Sequence, residues 1–122
     1  MSTLKKILVN KDKSCKSIWF MRQAGRYLPE FKKIRSQNQN FINLCFNSDL
    51  STEITLQPIK RYNLDSAIIF SDILLVPYAL GQEVNFIKNQ GPILSKFDLK
   101  KFISNDKINF TKKLNPIYQA IK

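Results

Sequence analysis

IWFMRQAGR, residues 18–26, is the stretch that says most about the fold. Its first four residues, Ile18–Met21, are continuously apolar, and the polarity changes abruptly at Arg22. A short run of this kind is typical of a strand that is buried on both faces in a parallel sheet. A second apolar run, Ala67–Phe70, ends equally abruptly, two residues before Asp72. We therefore predict two parallel strands, each followed by a charged side chain near its end.

Helical signals lie between and after these two runs. Pro29 suits the first position of a helix that continues to about Gln37. Ser48 is a good N-cap for a helix over residues 49–61, and the alternating residues 84–87 predict a small exposed strand. Asn115, followed by a proline, predicts the N-cap of a last helix. The alternation of strand and helix indicates the front portion of a larger α/β domain.

Length and composition are those of one globular domain. The chain has 122 residues, of which 43% are hydrophobic and 24% are charged. Its longest nearly apolar run, residues 73–80, is interrupted by Pro77 and is far shorter than the ~20 residues of a membrane span. The N-terminus has no secretory apolar region. We expect a cytoplasmic protein without a membrane partner.

The formal net charge of +11 suggests a polyanion as partner. The type and distribution of the basic residues argue against a polyanion-binding patch. Sixteen of the 20 basic residues are scattered lysines, and Lys, Asn and Ile together supply 42 residues. AT-rich coding would produce that bias without any binding function. We favour solvated lysines over a polyanion-binding patch. Residues 96–113 are the clearest example, since they are Lys-rich and polar with isolated apolar anchors.

The sequence offers few candidate residues for metal binding and none for histidine catalysis. The chain contains no histidine, so a histidine general base is excluded for this chain. Cys15 and Cys45 lie far apart and form no CxxC spacing, which leaves zinc almost no ligands. We expect free thiols and no bound metal.

The arginines are distributed differently from the lysines. Three of the four, Arg22, Arg26 and Arg35, fall within fourteen residues, and a guanidinium is suited to bidentate recognition of carboxylate or phosphate. Small residues between the first two, Ala24 and Gly25, would let a ligand approach the backbone.

The carboxylate of Asp72 is the second candidate group, because it lies between apolar neighbours and is costly there unless it meets hydrogen-bond donors. In a β/α barrel Arg22 and Asp72 would both lie at the C-terminal ends of strands, where active sites are built. The alternative to a ligand site is an Arg–Asp ion pair that closes the mouth of the barrel.

Two blocks of sequence resemble the uroporphyrinogen decarboxylase family: IWFMRQAGRYLPEFKKIR (Ile18–Arg35) and TLQPIKRYNLDSAIIFSDILLVPYALG (Thr55–Gly81). The likeness runs from about residue 17 to 94 and fades on either side. It implies a (β/α)₈ TIM barrel that acts as a homodimer without metal or organic cofactor. A complete barrel takes about 250 residues. We therefore expect residues 1–122 to be the N-terminal portion of one barrel domain, with part of a site and no activity by itself.

The resemblance also implies a reaction, the decarboxylation of the four acetate side chains of uroporphyrinogen to give coproporphyrinogen in haem biosynthesis. Asp72 matches the family's acceptor for the pyrrole N–H groups at the centre of this small-molecule substrate. An arginine of the Arg22–Arg26 motif and Asp72 are both candidates for delivering the proton. The residues expected to take part in catalysis are Asp72, Arg22 and Arg26. Those expected to bind the substrate are Arg22, Gln23, Ala24, Gly25, Arg26, Arg35 and Asp72.

Two other functions compete with this one. A corrinoid-dependent methyltransferase of the same barrel superfamily would rely on zinc held by His and Cys, which this stretch does not offer. A small basic nucleic-acid-binding module would interleave aromatic and basic residues on one surface. The aromatic residues Trp19, Phe20 and Phe70 lie instead in apolar runs. We expect no nucleic-acid partner.

Overall fold

The computed structural model describes residues 3–18, 20, 23–87, 90–104 and 107–122. These residues form helices together with one pair of strands, so the chain is a mixed α and β structure. None of the described helices is long and apolar enough to cross a membrane. The elements in chain order are α1 (Thr3–Asn10), α2 (Pro29–Gln37), α3 (Phe41–Cys45), α4 (Ser48–Tyr62), α5 (Leu75–Ala79), β1 (Val84–Ile87), β2 (Gly91–Leu94), α6 (Leu99–Ser104), α7 (Lys107–Lys113) and α8 (Asn115–Ile121).

Helices α2 and α4 begin at, or within one residue of, the positions that local signals predict. Helix α2 starts at Pro29 and ends at Gln37, as the sequence predicts, and it buries Phe31 and Ile34. The prediction of Ser48 as the N-cap of α4 is wrong by one residue. Asn47 is the cap, because its side-chain oxygen accepts from the backbone N–H of Leu50 at 3.0 Å. An amide oxygen satisfies a free helix N–H as well as a hydroxyl does.

Two apolar clusters hold the helices together. The first lies among α2, α3 and α4 and contains Leu28, Phe31, Ile34, Leu44 and Ile54. The second joins α3 and α5 to the end of the chain and contains Ile42, Cys45, Leu75, Ala79, Leu114 and Ile117. The ring of Phe70 packs against both clusters, so the segment before Asp72 lies between them.

The two predicted parallel strands are not strands among the described residues. Residues 67–70 belong to no helix or strand, and Ile68 is exposed. Ile18 and Phe20 are exposed too. Trp19 and Met21 lie outside the described residues. Two-sided burial requires neighbouring strands and covering helices on both faces. The described part of the chain covers residues 67–70 from the α4 side, and side chains bind their backbone in place of a neighbouring strand.

The second half of the chain contains a hairpin and short helices. Strand β1 lies at its predicted position and pairs antiparallel with β2, with Val84 opposite Leu94 and Ile87 opposite Gly91. Asn115 is the first residue of α8 rather than its cap; Leu114 takes the cap position without a side-chain hydrogen bond. The Lys-rich region before it forms α6 and α7, which the sequence did not predict.

Candidate functional site

An open cavity of about 790 Å³ lies between α2 and the hairpin, and the residue Asp72 borders it. Four of its lining side chains are charged: Arg26, Lys32, Arg35 and Asp72. Its apolar walls include the rings of Phe31, Phe41 and Phe86. The cavity therefore combines three cations and one carboxylate with flat aromatic surfaces.

Helix α2 and the loop before it supply the cations. Arg26 is exposed and makes no hydrogen bond or ion pair within the part of the chain that the structure describes. Arg35 is half-buried; its Nη1 donates to the Asn38 carbonyl oxygen, and its Cζ lies 5.8 Å from the centroid of the Phe41 ring. Contact with a ring face attracts a guanidinium and fixes its plane. One arginine is therefore held in place, and the other is available to a ligand.

The carboxylate of Asp72 is oriented by its own turn. One oxygen, Oδ1, accepts from the backbone N–H of Leu74 at 2.8 Å, and the Asp72 carbonyl oxygen accepts from the N–H of Leu75 at 3.1 Å. This turn leads directly into α5. Asp72 is half-buried, and the second carboxylate oxygen takes no hydrogen bond from the described residues.

The ion-pair alternative can be examined for two of the three arginines. Neither Arg26 nor Arg35 lies within 4 Å of the Asp72 carboxylate, so neither forms an ion pair with it in the described structure. Arg22 lies outside the described residues, and its predicted roles remain predictions. Arg26 and Arg35 therefore keep their charge available to a ligand of the cavity.

The three residues between Arg22 and Arg26 have structural roles in the described chain. Gln23 is only 3% exposed; its amide donates to the Ser66 carbonyl oxygen at 3.0 Å and accepts from the Ile68 N–H at 2.8 Å. Gln23 does not line the cavity, and Ala24 packs on the apolar cluster beneath α2. Gly25 has φ +155°, which residues with a side chain rarely adopt. Its carbonyl oxygen accepts from the Leu28 N–H at 3.0 Å, which turns the chain into α2.

A buried thiol lies close to the cavity. The side chain of Cys45 is completely buried, and burial raises its pKa to about 12. The negative charge of Asp72 contributes to this rise in the pKa, whereas the positive charge of Arg35 opposes it. A thiol of this kind is protonated and unreactive at neutral pH. Cys45 is therefore part of the packing, as the sequence predicts.

Sequence reasoning missed one cation and the aromatic walls. Lys32 lies three residues before Arg35 on α2, so helical spacing could have placed both on one face. Phe41 and Phe86 contact each other with ring centroids 5.3 Å apart, and Phe41 also contacts Phe70 at 6.0 Å. These contacts join α3 to the hairpin, and no local pattern indicates them.

The chemistry of this site is that of carboxylates, guanidiniums and aromatic rings. Among the described residues no group of three or more His, Cys, Asp or Glu side chains could hold a metal ion. The cations and aromatic rings of the cavity are therefore suited to bind an anionic molecule with flat apolar surfaces.

Comparison with known proteins identifies the family. The family model described as uroporphyrinogen decarboxylase (URO-D) matches residues 2–122, so the chain belongs to this family. A protein named uroporphyrinogen decarboxylase from Rickettsia rickettsii is 55% identical over 105 residues, or 86% of this chain. Proteins of the same name from Rickettsia felis and Rickettsia canadensis are each 54% identical. The chain spans about 30% of the length of these relatives. The family match covers residues 2–122 and thus extends beyond the likeness at about residues 17–94 on both sides.

Proposed function

We propose that this chain forms part of the active site of a uroporphyrinogen decarboxylase and that residues 1–122 are the N-terminal portion of its incomplete (β/α)₈ barrel. The observation that carries the proposal is the shared cavity: Arg26, Arg35 and Asp72 line it together although Asp72 lies far along the chain from both arginines. The resemblance adds the expectations of a homodimer, of a cytoplasmic location and of catalysis without a cofactor.

The charges of the cavity complement the proposed substrate. Uroporphyrinogen carries carboxylates around its rim, and the guanidinium of Arg26 is free to bind one of them in a bidentate manner. Arg35 and Lys32 offer two further positive charges on the same side. The phenyl rings of Phe41 and Phe86 provide apolar walls for the pyrrole rings. Arg22 and Gly25 belong to the same proposed substrate-binding set, with Gln23 and Ala24 supporting it.

Asp72 has the properties that the centre of the substrate requires. The pyrrole N–H groups need an acceptor, and the carboxylate has one oxygen that takes no hydrogen bond from the described residues. The reaction begins when a ring carbon is protonated. The electron pair of the bond to the departing carboxylate then moves into the cationic ring, and carbon dioxide leaves. Protonation of the exocyclic methylene and loss of the ring proton restore the pyrrole and give a methyl group. A negative charge beside the ring stabilises the cation.

A chimera tests this proposal. We would replace the matching segment of the R. rickettsii relative with residues 1–122 of this chain and measure the formation of coproporphyrinogen from uroporphyrinogen. The chimera should be active, and Arg26→Gln should lower its kcat/KM by ~10-fold or more, as expected for loss of a charged hydrogen-bond partner. The control Lys100→Gln removes a lysine remote from this cavity. An inactive but folded chimera, or equal effects of the two variants, would contradict the proposal.

A further inference from the structure

The backbone of Phe70 is bound on both sides by hydroxyl groups of α4. The Ser51 Oγ donates to the Phe70 carbonyl oxygen at 2.7 Å, and the Phe70 N–H donates to the Thr55 Oγ1 at 2.8 Å. The Thr55 hydroxyl also donates to the Ser51 carbonyl oxygen at 2.7 Å. All three distances are those of well-formed hydrogen bonds. Two side chains one helical turn apart therefore satisfy both backbone groups of a single residue.

Ser51 and Thr55 are buried within α4, and helix propensity does not explain why hydroxyl residues occupy these positions. Ser51 is 0% exposed and Thr55 is 7% exposed, on the face of α4 where apolar residues would otherwise pack. Ser and Thr are mediocre residues for a helix interior. A buried hydroxyl is tolerated when it is hydrogen-bonded, and its removal would leave the N–H of Phe70 without a partner. The pair is therefore suited to hold the segment that it contacts.

Phe70 connects the hydrogen bonds of Ser51 and Thr55 to the cavity. It lies two residues before Asp72, and its ring lies between the rings of Phe31 and Phe41, with centroids 5.7 and 6.0 Å away. Both of those rings line the cavity. Any shift of the Phe70 backbone would therefore move the carboxylate and the apolar walls together.

We infer that Ser51 and Thr55, hereafter the hydroxyl clamp, are positioning residues that fix Asp72 against the macrocycle of the substrate. This inference rests on the proposed function, because it concerns the same cavity. Neither hydroxyl touches the substrate; both act through Phe70. Positioning of this kind matters because a misplacement of about 1 Å can cost ~10²-fold in rate.

A second attachment holds the other end of the same segment. The Gln23 amide binds the Ser66 carbonyl oxygen and the Ile68 N–H, and it follows Arg22 directly in the motif. Residues 66–70 are thus fixed to the arginine motif at one end and to α4 at the other. The two attachments together replace the hydrogen bonds that neighbouring strands would make, and they set the distance between the arginines and Asp72.

Substitution of Thr55 in the active chimera gives the first test. Thr55→Val keeps the shape and removes the hydroxyl, Thr55→Ser restores it, and Ser51→Ala provides a second variant in case Thr55→Val does not fold. The matched control is Thr52→Val, since the Thr52 Oγ1 also lies on α4 but donates to the Ala120 carbonyl oxygen at 3.2 Å. We expect Thr55→Val to lower kcat by ~10-fold or more with a smaller change in KM, Thr55→Ser to restore it, and Thr52→Val to have little effect. Equal losses for Thr55→Val and Thr52→Val would overturn the inference.

A double-mutant cycle separates positioning from general stability. If Thr55 acts through Asp72, Thr55→Val should change kcat by less than ~2-fold once Asp72→Asn is present, because coupled residues are not additive. Losses that multiply independently would mean that Thr55 contributes only to the fold, and they would overturn the inference.

Two spectroscopic readouts on the folded chimera do not depend on activity. In Thr55→Val the amide of Phe70 should exchange with solvent ~10-fold or more faster, and the NMR resonance of the Asp72 carboxyl carbon should move. Neither should change in Thr52→Val. An inactive chimera with these changes would refute the proposed function and leave the clamp supported. If the chimera is active but Thr55→Val shows neither of these changes, the inference about the hydroxyl clamp is refuted and the proposed function stands.

Discussion

The segment from Gln23 to Ala79 and the segment from Val84 to Lys113 are built in different ways. The first contains most of the buried side chains, and polar side chains within it bind its irregular backbone. In the second, none of the described side chains is fully buried, and large apolar residues such as Ile103 and Ile108 are exposed. The comparison teaches that the proposed site rests mainly on the first segment and that the second segment adds one wall, through Phe86 and Pro92.

The largest effect should come from removing the negative charge of Asp72, which lies in the first segment. In the chimera, Asp72→Asn should lower turnover by at least ~10²-fold, on the scale of removing one preorganised electrostatic group. Asp98 offers a matched control in the second segment. Its Oδ1 accepts from the N–H two residues later at 3.0 Å, as the Asp72 Oδ1 does at 2.8 Å. Near-normal turnover of Asp72→Asn, or an equal loss in Asp98→Asn, would remove Asp72 from the site.

The difference in packing predicts a difference in stability. Ile54 is 0% exposed and Ile103 is 73% exposed. In the chimera, Ile54→Ala should lower the free energy of unfolding by about 2–5 kcal/mol, because it leaves a cavity in the core. Ile103→Ala should change it by no more than about 0.5 kcal/mol. Denaturation by urea, followed by circular dichroism, measures both. Similar costs would show that Ile103 is as well packed in the chimera as Ile54.

Substitution of Arg26 in the first segment should lower activity more than substitution of the lysines in the second segment. Arg26→Lys keeps the charge and loses the planar fork of the guanidinium. We expect a several-fold loss in kcat/KM for uroporphyrinogen, whereas Lys100→Gln should have little effect. Arg61→Lys is the matched control, because Arg61 pairs with Glu30 at the exposed surface. If all three variants behave alike, Arg26 is only a solvated charge.

The two thiols should differ in their reactivity at neutral pH. Cys45 has a pKa of about 12 in the folded chain and about 9 when unfolded, so above pH 9 the unfolded state loses a proton that the folded state keeps. The contribution of Cys45 to stability is therefore complete below pH 9 and is lost as the pH rises towards 12. At pH 8 iodoacetamide should modify the partly exposed Cys15 and spare Cys45. Rapid modification of Cys45 in the folded chain would show that the core beside Asp72 opens.

Local signals predicted much of the first segment. A proline at the first position of α2 fixes its start, and a polar residue before α4 indicates its start within a residue. The prediction of a strand at residues 84–87 was confirmed, whereas residues 67–70 form no strand, because an apolar run does not state what lies beside it. The backbone of residues 67–70 is bound by side chains from Gln23 and α4 instead. Helices α6 and α7 were missed because a polar, Lys-rich sequence with few apolar anchors shows weak periodicity.

The sequence predicted those residues of the candidate site that local patterns mark, and it did not predict those that only the tertiary fold brings together. The arginines Arg26 and Arg35 share one local stretch, and the abrupt end of an apolar run marks Asp72. Lys32 could have been found from its spacing to Arg35 on α2. The contribution of Phe86 could not, because it comes from a hairpin that the fold brings to the cavity.

The ring of Phe41 has a consequence for how this sequence can change over time. The guanidinium of Arg35 lies over its face, and the ring also contacts the phenyl rings of Phe70 and Phe86. Because close-packed interiors respond to changes of even one methylene group, a smaller residue at this position would loosen three neighbours at once. A larger one would displace them. Substitutions at Phe41 should therefore be accepted only together with changes at its neighbours, so that these distant positions vary as a group among relatives.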